Sequence, residues 1–464
     1  MSRIALIGKG TSEFVSRLID IWNNGDCAVL IDWQTPIHKA FDMMKEAGVL
    51  KCYIQTNIWS ENADIIVNNI EIIFFEACSD LTILLPDYIY SKFHVNYSKT
   101  EAVIIYSSGT TGKSKGIILS HFAINTNADA IIDYMCPSAS DDCIYTIRSL
   151  SHSSTLTGEL LVALKSHVRL VINTSAVPPR YILKTIKLQH VSILCLNPTI
   201  LSLLCDEAIR KAYDISSLKK VYVSGDVLSD KVYKKAHNTF SEISVYNVYG
   251  LSEAAPRVAA QTVEYCKTNS VGKPIDGIEI AIVNENGIPV PDGNRGVIHV
   301  NTPSLFSGYV TGNIKHCSLY CGWLNTGDIG YKDKYGELHV VGRIDDIIIC
   351  EAHKVYPIDV EKLIMDNPAI TDCAVSKCLY NGLEVIGCLY VSDEDCAIEI
   401  VHRLKNMLMQ YEIPKKFLMI ESIPHNDRGK IDYKKVSDIL SRDSTERVMN
   451  YGKEQNQSQI DRYT

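Results

Sequence analysis

Over roughly its first 250 residues the chain alternates short apolar runs with amphipathic stretches, and this rhythm constrains the fold more than any other feature. Residues 4–7 form an apolar run that stops at Gly8. The next stretch carries Phe14, Leu18, Ile21 and Trp22 on one side, with Ser12 placed to cap a helix and Gly25 to close it. Residues 28–31 are strand-like again and 36–47 helical; apolar runs recur at 103–106, 168–172, 191–195, 221–223 and 244–248. Strands separated by helices imply an α/β fold of mostly parallel sheets with helices on their faces.

After about residue 270 the texture changes: Gly272, Pro274, Gly277, Gly287, Pro289, Pro291, Gly293 and Gly296 punctuate short β-rich runs. They predict a small antiparallel, barrel-like subdomain. From about residue 346 a further unit has helical patterns at 357–366 and 397–410 among strand patterns at 371–376 and 385–391. The expected organisation is a large N-terminal domain over 1–344, a small mobile α+β lid domain over 345–440, and a disordered polar tail over 441–464. A length of 464 residues agrees with two or three packed units.

Composition excludes several function classes. The chain is 46% hydrophobic and 22% charged, a globular profile, and its net charge of -8 opposes a nucleic-acid-binding surface. No apolar run is long enough to span a bilayer, and the opening residues lack a signal-peptide pattern. The 15 cysteines are dispersed without a CxxC pair, as expected of reduced thiols in a cytoplasmic protein. Cys317 and Cys321 have the spacing of one helix face but lack the further ligands a metal needs.

Two glycine-rich stretches mimic other nucleotide folds. Gly8-Lys9-Gly10, with Asp32 ending the next strand, resembles a dinucleotide fingerprint, but Glu13 stands where the third glycine and a pyrophosphate belong. Ser107-Ser108-Gly109-Thr110-Thr111-Gly112-Lys113-Ser114 resembles a P-loop without its first glycine, and the run 221–226 breaks before its Asp. That second stretch reads better as a different anion cradle. Within residues 106–116 lie five serine or threonine hydroxyls, three glycines, and the lysines Lys113 and Lys115. Glycines admit backbone N–H groups to a polyphosphate, hydroxyls donate to it, and lysine balances its charge.

This loop resembles the phosphate loop of the adenylate-forming (AMP-binding) superfamily, which includes acyl-CoA synthetases, peptide-synthetase adenylation domains and beetle luciferases. Four further blocks follow in the superfamily's order, so that the resemblance covers about residues 1–440. Asn247-Val248-Tyr249-Gly250-Leu251-Ser252-Glu253 matches the segment whose Asn and Tyr hold adenine, whose hydroxyl touches phosphate and whose acid holds Mg²⁺. Trp323-Leu324-Asn325-Thr326-Gly327-Asp328 matches the segment whose Asp accepts from both ribose hydroxyls. Gly342-Arg343-Ile344-Asp345, with Glu361 further on, matches the nucleotide-contacting Arg and the interdomain hinge at Asp345. Asp427-Arg428-Gly429-Lys430 matches the loop bearing the catalytic lysine. The segment Ser149-Leu150-Ser151-His152-Ser153 resembles the one whose His gates the acyl pocket, and Gly272-Lys273-Pro274 the start of the β-rich segment.

The resemblance implies ATP, Mg²⁺ and a small carboxylic acid as reactants. Acyl-adenylate and pyrophosphate form first, and a thiol of CoA or of a carrier protein's phosphopantetheine arm then takes the acyl group. The alternatives are a stand-alone carrier-loading enzyme, a non-catalytic nucleotide-binding regulator and a luciferase-like oxygenase; Lys430, Glu253 and Asp328 oppose the regulator. Three departures stand out. The chain starts later than most members, which predicts a missing edge in the first subdomain. Ser114 replaces a common proline, and Ala352, preceded by Glu351, replaces a glycine beside the thiol channel. Residues 150–156 contain no carboxylate to meet an α-ammonium, so free α-amino acids are not the expected substrates.

Overall fold

The computed structural model describes residues 1–56, 58, 70–108, 114–174, 177–264, 270–312, 319–320, 322–350, 353–380, 383–425 and 431–442. They divide into two compact units: Met1–Leu228, Val232–Thr326 and Gly330–Val340 form the first, and Ser229–Lys231, Gly327–Ile329 and the chain from Val341 onward the second. Cys317, Cys321, Glu351, Ala352, Lys430 and nearly all of the polar tail lie outside the described residues.

The first unit contains two large sheets. In one, Arg3–Gly8 pairs in parallel with Cys27–Asp32 and Lys51–Gln55, Cys27–Asp32 with Glu101–Ser108, and Lys51–Gln55 with Glu71–Phe75. At its far end the chain turns back, so that Ser114–Ser120 pairs antiparallel with Glu101–Ser108 and Gly308–Tyr309 pairs antiparallel with Ser114–Ser120. In the other sheet the parallel centre runs Arg169–Asn173, Cys143–Thr146, Ile193–Leu196, Lys220–Val223, Ser244–Gly250. Thr82–Leu84 closes one end, and Arg257–Ala260 with Lys273–Pro274 the other, all antiparallel.

Strand alternation explains why these strands are apolar throughout. Ile4 and Leu6 face a core they share with Ile144 and Leu170 of the other sheet and with Phe14, Leu18, Ile131 and Leu160 of the helices between. Ala5 and Ile7 face the opposite way, against Ala40 and Met44. The central parallel strands are therefore buried on both faces, while the edge strand Glu71–Phe75 is only partly buried. The outer face of the second sheet is covered by Ile182, Leu201, Leu204 and Ala236. The first helix, Ser12–Asn23, is capped by Thr11 rather than Ser12: the Thr11 hydroxyl accepts from the Phe14 N–H at 3.3 Å. The Ser12 hydroxyl donates instead to Glu13.

The β-rich stretch forms a sheet ordered Glu279–Val283, Gly296–Asn301, Trp323–Lys332, Leu319–Tyr320, with Leu338–Arg343 also pairing with Trp323–Lys332. Among the described residues this sheet is open and not the barrel expected. The long strand Trp323–Lys332 takes on several partners, but neither Leu319–Tyr320 nor Leu338–Arg343 pairs with Glu279–Val283 to close a ring.

In the second unit, Ile370–Tyr380 and Leu383–Ser392 form a long antiparallel pair, and Lys416–Met419 joins the latter in parallel. Helices Pro357–Met365 and Ala397–Lys405 supply Val360, Ile364, Ile400 and Leu404 to one face. Helix Tyr433–Arg442 covers the other with Val436 and Leu440. No helix among the described residues is long and apolar enough to cross a membrane.

Candidate active site

In the first unit the predicted nucleotide residues stand where parallel strands end. The strand Glu101–Ser108 leads into residues 109–113, and Ser114–Ser120 returns from them in a register that sets Ser107 opposite Lys115. Gly109, Thr110, Thr111 and Gly112 lie outside the described residues, as does the side chain of Ser108, so the hairpin defines the frame on which they sit. Lys115 extends its ammonium over the Tyr309 ring, 5.6 Å from the centroid. Tyr309 belongs to the short strand beside it, Gly308–Tyr309.

The second large sheet contributes Ser244–Gly250. Tyr246 and Val248 face the main core, so alternation turns Asn247 and Tyr249 to the opposite face. Asn247 is fixed by two bonds: its N–H donates to Gln261 Oε1 (2.8 Å), and its carbonyl accepts from the Gln261 N–H (3.1 Å). Tyr249 is buried among Ala254, Ala259 and Val271. At Gly250 a Cβ would meet the Pro256 carbonyl oxygen at 2.1 Å, so only glycine fits where the chain folds back on itself.

Two bonds join this turn to the rest of the unit. The Tyr309 hydroxyl donates to Glu253 Oε1 at 2.8 Å. The Ser252 and Ser153 hydroxyls bond each other at 2.8 Å. Tyr309 therefore links Lys115, on the hairpin of the phosphate-loop motif, to the predicted magnesium ligand. That bond engages Glu253 Oε1, and the second carboxylate oxygen is a hard donor of the kind Mg²⁺ takes. His152 precedes a helix of three sections, Ser153–Thr155, the π-turn Leu156–Leu161, and Val162–Ser166. Its carbonyl accepts from the N–H groups of Thr155 (3.1 Å) and Leu156 (2.8 Å), which places His152 at the helix start.

In the second unit Arg343 Nη1 donates to Asp328 Oδ1 at 3.0 Å. Gly327, with φ +72°, brings the backbone so close that a Cβ there would lie 2.9 Å from Arg343 Nη2. The sequence motifs treat Asp328 and Arg343 separately; the structure makes them an ion pair. Asp345 is exposed in the turn Ile344–Asp346. Glu361 is buried. It accepts from the Val375 N–H (2.8 Å) and the Tyr433 hydroxyl (3.1 Å), and burial pushes its carboxyl up to about 8.

The dinucleotide-like stretch is structural. A Cβ at Gly8 would press on Phe14 at 3.0 Å, and one at Gly10 on Ile172 at 3.0 Å. The Asp32 carboxylate accepts from Ser151 Oγ (3.0 Å) and the Gln34 N–H (2.9 Å).

The sequence pattern of the AMP-binding enzyme family matches residues 2–310. The chain belongs to that family. This AMP-binding enzyme is similar to the 2-succinylbenzoate–CoA ligase of Bacillus mycoides, 25% identical over 438 residues that cover 92% of this chain and 86% of the relative. It is also similar to the indoleacetate–CoA ligase of Aromatoleum aromaticum, 27% identical over 355 residues, 74% of this chain and 68% of that one. The fold matches ATP-bound MatB from Rhodopseudomonas palustris with a TM-score of 0.83 at 20% identity, covering 95% and 89% of the two chains.

The motifs alone did not point to Tyr309 as the partner of Glu253, to Ser153 as the partner of Ser252, or to the half-buried Arg148 and the buried Glu159 and Arg257. One signal was available for Arg257: a lone charge just before the apolar run 258–260.

Proposed function

We propose that this protein activates a carboxylic acid with Mg²⁺-ATP and passes the acyl group to a thiol. The observation that carries the reading is the line Lys115–Tyr309–Glu253, which joins the strand Ser114–Ser120 to the turn that follows the Asn247–Tyr249 strand end. In open α/β sheets, ligands bind outside the carboxyl ends of the strands. ATP is thereby offered a cation, hydroxyls and a carboxylate for its metal within one unit.

In this reading Ser107, Ser108, Thr110 and Thr111, with the backbone of Gly109 and Gly112, take the polyphosphate, and Lys115 balances its charge. Asn247 and Tyr249 hold the adenine beside Gly250, Ser252 meets phosphate, and Glu253 holds Mg²⁺, whose chemistry is to shield phosphate charge. Asp328 takes the ribose hydroxyls, with Arg343 orienting its carboxylate. His152 borders the acyl pocket. A carboxylate oxygen attacks the α-phosphorus as the bond to pyrophosphate breaks, and Lys430 neutralises the charge that builds there. A thiolate sulfur then attacks the acyl carbon and AMP leaves. Rotation of the small domain at Asp345 exchanges the groups presented for the two steps.

The similar CoA ligases for 2-succinylbenzoate and indoleacetate support CoA as acceptor and an acid with an aryl group. Incubation with Mg²⁺-ATP, a panel of acids and CoA tests the scheme. AMP, pyrophosphate and a thioester are expected; ADP and phosphate as products would refute it. Glu351 and Ala352 stand beside the thiol channel of this scheme and slow the second step with CoA relative to a carrier-bound arm. Ala352→Gly is expected to raise thioester formation and leave pyrophosphate exchange unchanged, and equal thioester rates in both proteins would remove any role for Ala352.

A further inference from the structure

Buried charge in the first unit does not cancel. Arg257 is 4% exposed, yet its guanidinium makes no hydrogen bond or ion pair among the described residues, and its Nε is completely enclosed. Its backbone is held rigidly: the Arg257 N–H donates to Asn127 Oδ1 (2.9 Å), and Asn127 Nδ2 donates to the Arg257 carbonyl (2.8 Å). Asn127 is itself 1% exposed. The guanidinium reaches the π-turn, where a Cβ on Gly158 would lie 3.5 Å from Nη2, in van der Waals contact.

Nearby, Arg148 Nη2 donates to Glu159 Oε1 at 3.1 Å, and the other Glu159 oxygen and Arg148 Nε have no partner. The hydroxyls of Thr155, Thr157 and Tyr134 are also buried without one. Burial raises the Glu159 pKa, against the opposing pull of Arg148 and Arg257. Two guanidiniums thus share at most one carboxylate. Water can satisfy an orphaned N–H, but it does not neutralise a buried charge, and an unpaired buried ion costs several kcal/mol.

The location ties this surplus to the reaction. Arg257 pairs in register with Gly250, and Ser153, on the helix that holds Gly158, bonds Ser252. Gly158 lies five residues beyond Ser153 in the same continuous helical segment. One helical segment therefore meets both Ser252, in the nucleotide motif, and Arg257.

We infer that the acid activated here carries a second carboxylate, and that Arg257, assisted by Arg148, receives it while the first carboxylate reacts. This rests on the acid-activating reading above and names its substrate class. A planar guanidinium meets a carboxylate through two parallel hydrogen bonds, and the enclosed hydroxyls are available to the remaining acceptors.

The test uses the full chain, a series of aliphatic and aromatic dicarboxylic acids, and the monomethyl ester of each. Acid-dependent ATP–pyrophosphate exchange and ligand-induced shifts of Tm without ATP are both read. In the wild type at least one diacid is expected to exceed its monoester by about 100-fold in kcat/KM, because a site built for a polar group rejects the analogue lacking it. Arg257→Met is expected to bring that ratio close to one, and Arg257→Lys to retain part of it. The Tm of ligand-free Arg257→Met is expected to rise, which a merely structural arginine would not produce. Monoesters matching diacids throughout, or a ratio that survives Arg257→Met, would overturn the inference and leave the acid-activating reading standing. Exchange with no acid, together with a diacid Tm shift that Arg257→Met abolishes, would reject acid activation and support the second-carboxylate site. Absence of both signals rejects both. Should Arg257→Met fail to fold, Arg257→Lys and the wild-type comparison still decide.

Discussion

Tyr309 is the side chain on which the geometry around Glu253 depends most, since its hydroxyl holds one carboxylate oxygen while its ring lies under Lys115. Tyr309→Phe keeps the ring and loses the hydrogen bond, worth about 1 kcal/mol. Pyrophosphate exchange at limiting Mg²⁺ is expected to fall about 3- to 10-fold, with much of the loss recovered at saturating metal; unchanged magnesium dependence would separate Tyr309 from the metal ligand. Gly250→Ala drives a methyl into the Pro256 carbonyl, and overpacking of this kind costs about 3 kcal/mol. A urea titration should show the lower midpoint with little change in slope. At this scale the sequence motifs named the candidate ATP-contacting groups, because those residue types are dictated by phosphate, ribose and metal chemistry. They did not reveal what holds those groups. Tyr309 lies 56 residues from Glu253 and Asn127 lies 130 from Arg257, and such pairings arise only from tertiary packing.

Among the elements, the parallel strands were legible because burial on both faces makes them continuously apolar, and each sequence run at 4–7, 28–31 and 221–223 lies inside an observed strand. Periodicity placed the first helix but not its cap, because Thr11 and Ser12 are chemically equivalent candidates and backbone geometry selects Thr11. The β-rich segment was read as barrel-like from its glycine and proline spacing; that spacing locates turns but says nothing of which strands pair, and the observed sheet is open among the described residues. In the three-stranded sheet unit, Glu361 is protonated at neutral pH while its unfolded counterpart is ionised. The folded state therefore binds the extra proton, and stability is fully present below the ordinary Glu value and is lost as pH rises through about 8. Glu361→Gln should flatten this dependence and gain on wild type between pH 6 and 9, in thermal melts of the two proteins. A parallel pH dependence in both would mean that Glu361 is not the titrating group.

For the whole molecule, the proposed scheme draws the phosphate, adenine and metal groups from the large unit, and the ribose carboxylate and the lysine of the first chemical step from the small one. Lys430→Ala is expected to lower adenylate formation by about 10²–10³, the effect of removing one preorganised charge from a transition state. The same variant should still transfer the acyl group from supplied acyl-adenylate to a thiol; loss of both steps would mean a folding defect, and full exchange would remove Lys430 from the reaction. Acid activation itself is tested most directly by wild-type ATP–pyrophosphate exchange, measured with labelled pyrophosphate, Mg²⁺ and a broad acid panel in the absence of any thiol. The account predicts label entering ATP only when a suitable acid is present, with AMP as the sole nucleotide product once pyrophosphate is removed. No exchange with any acid, or release of ADP, would contradict it.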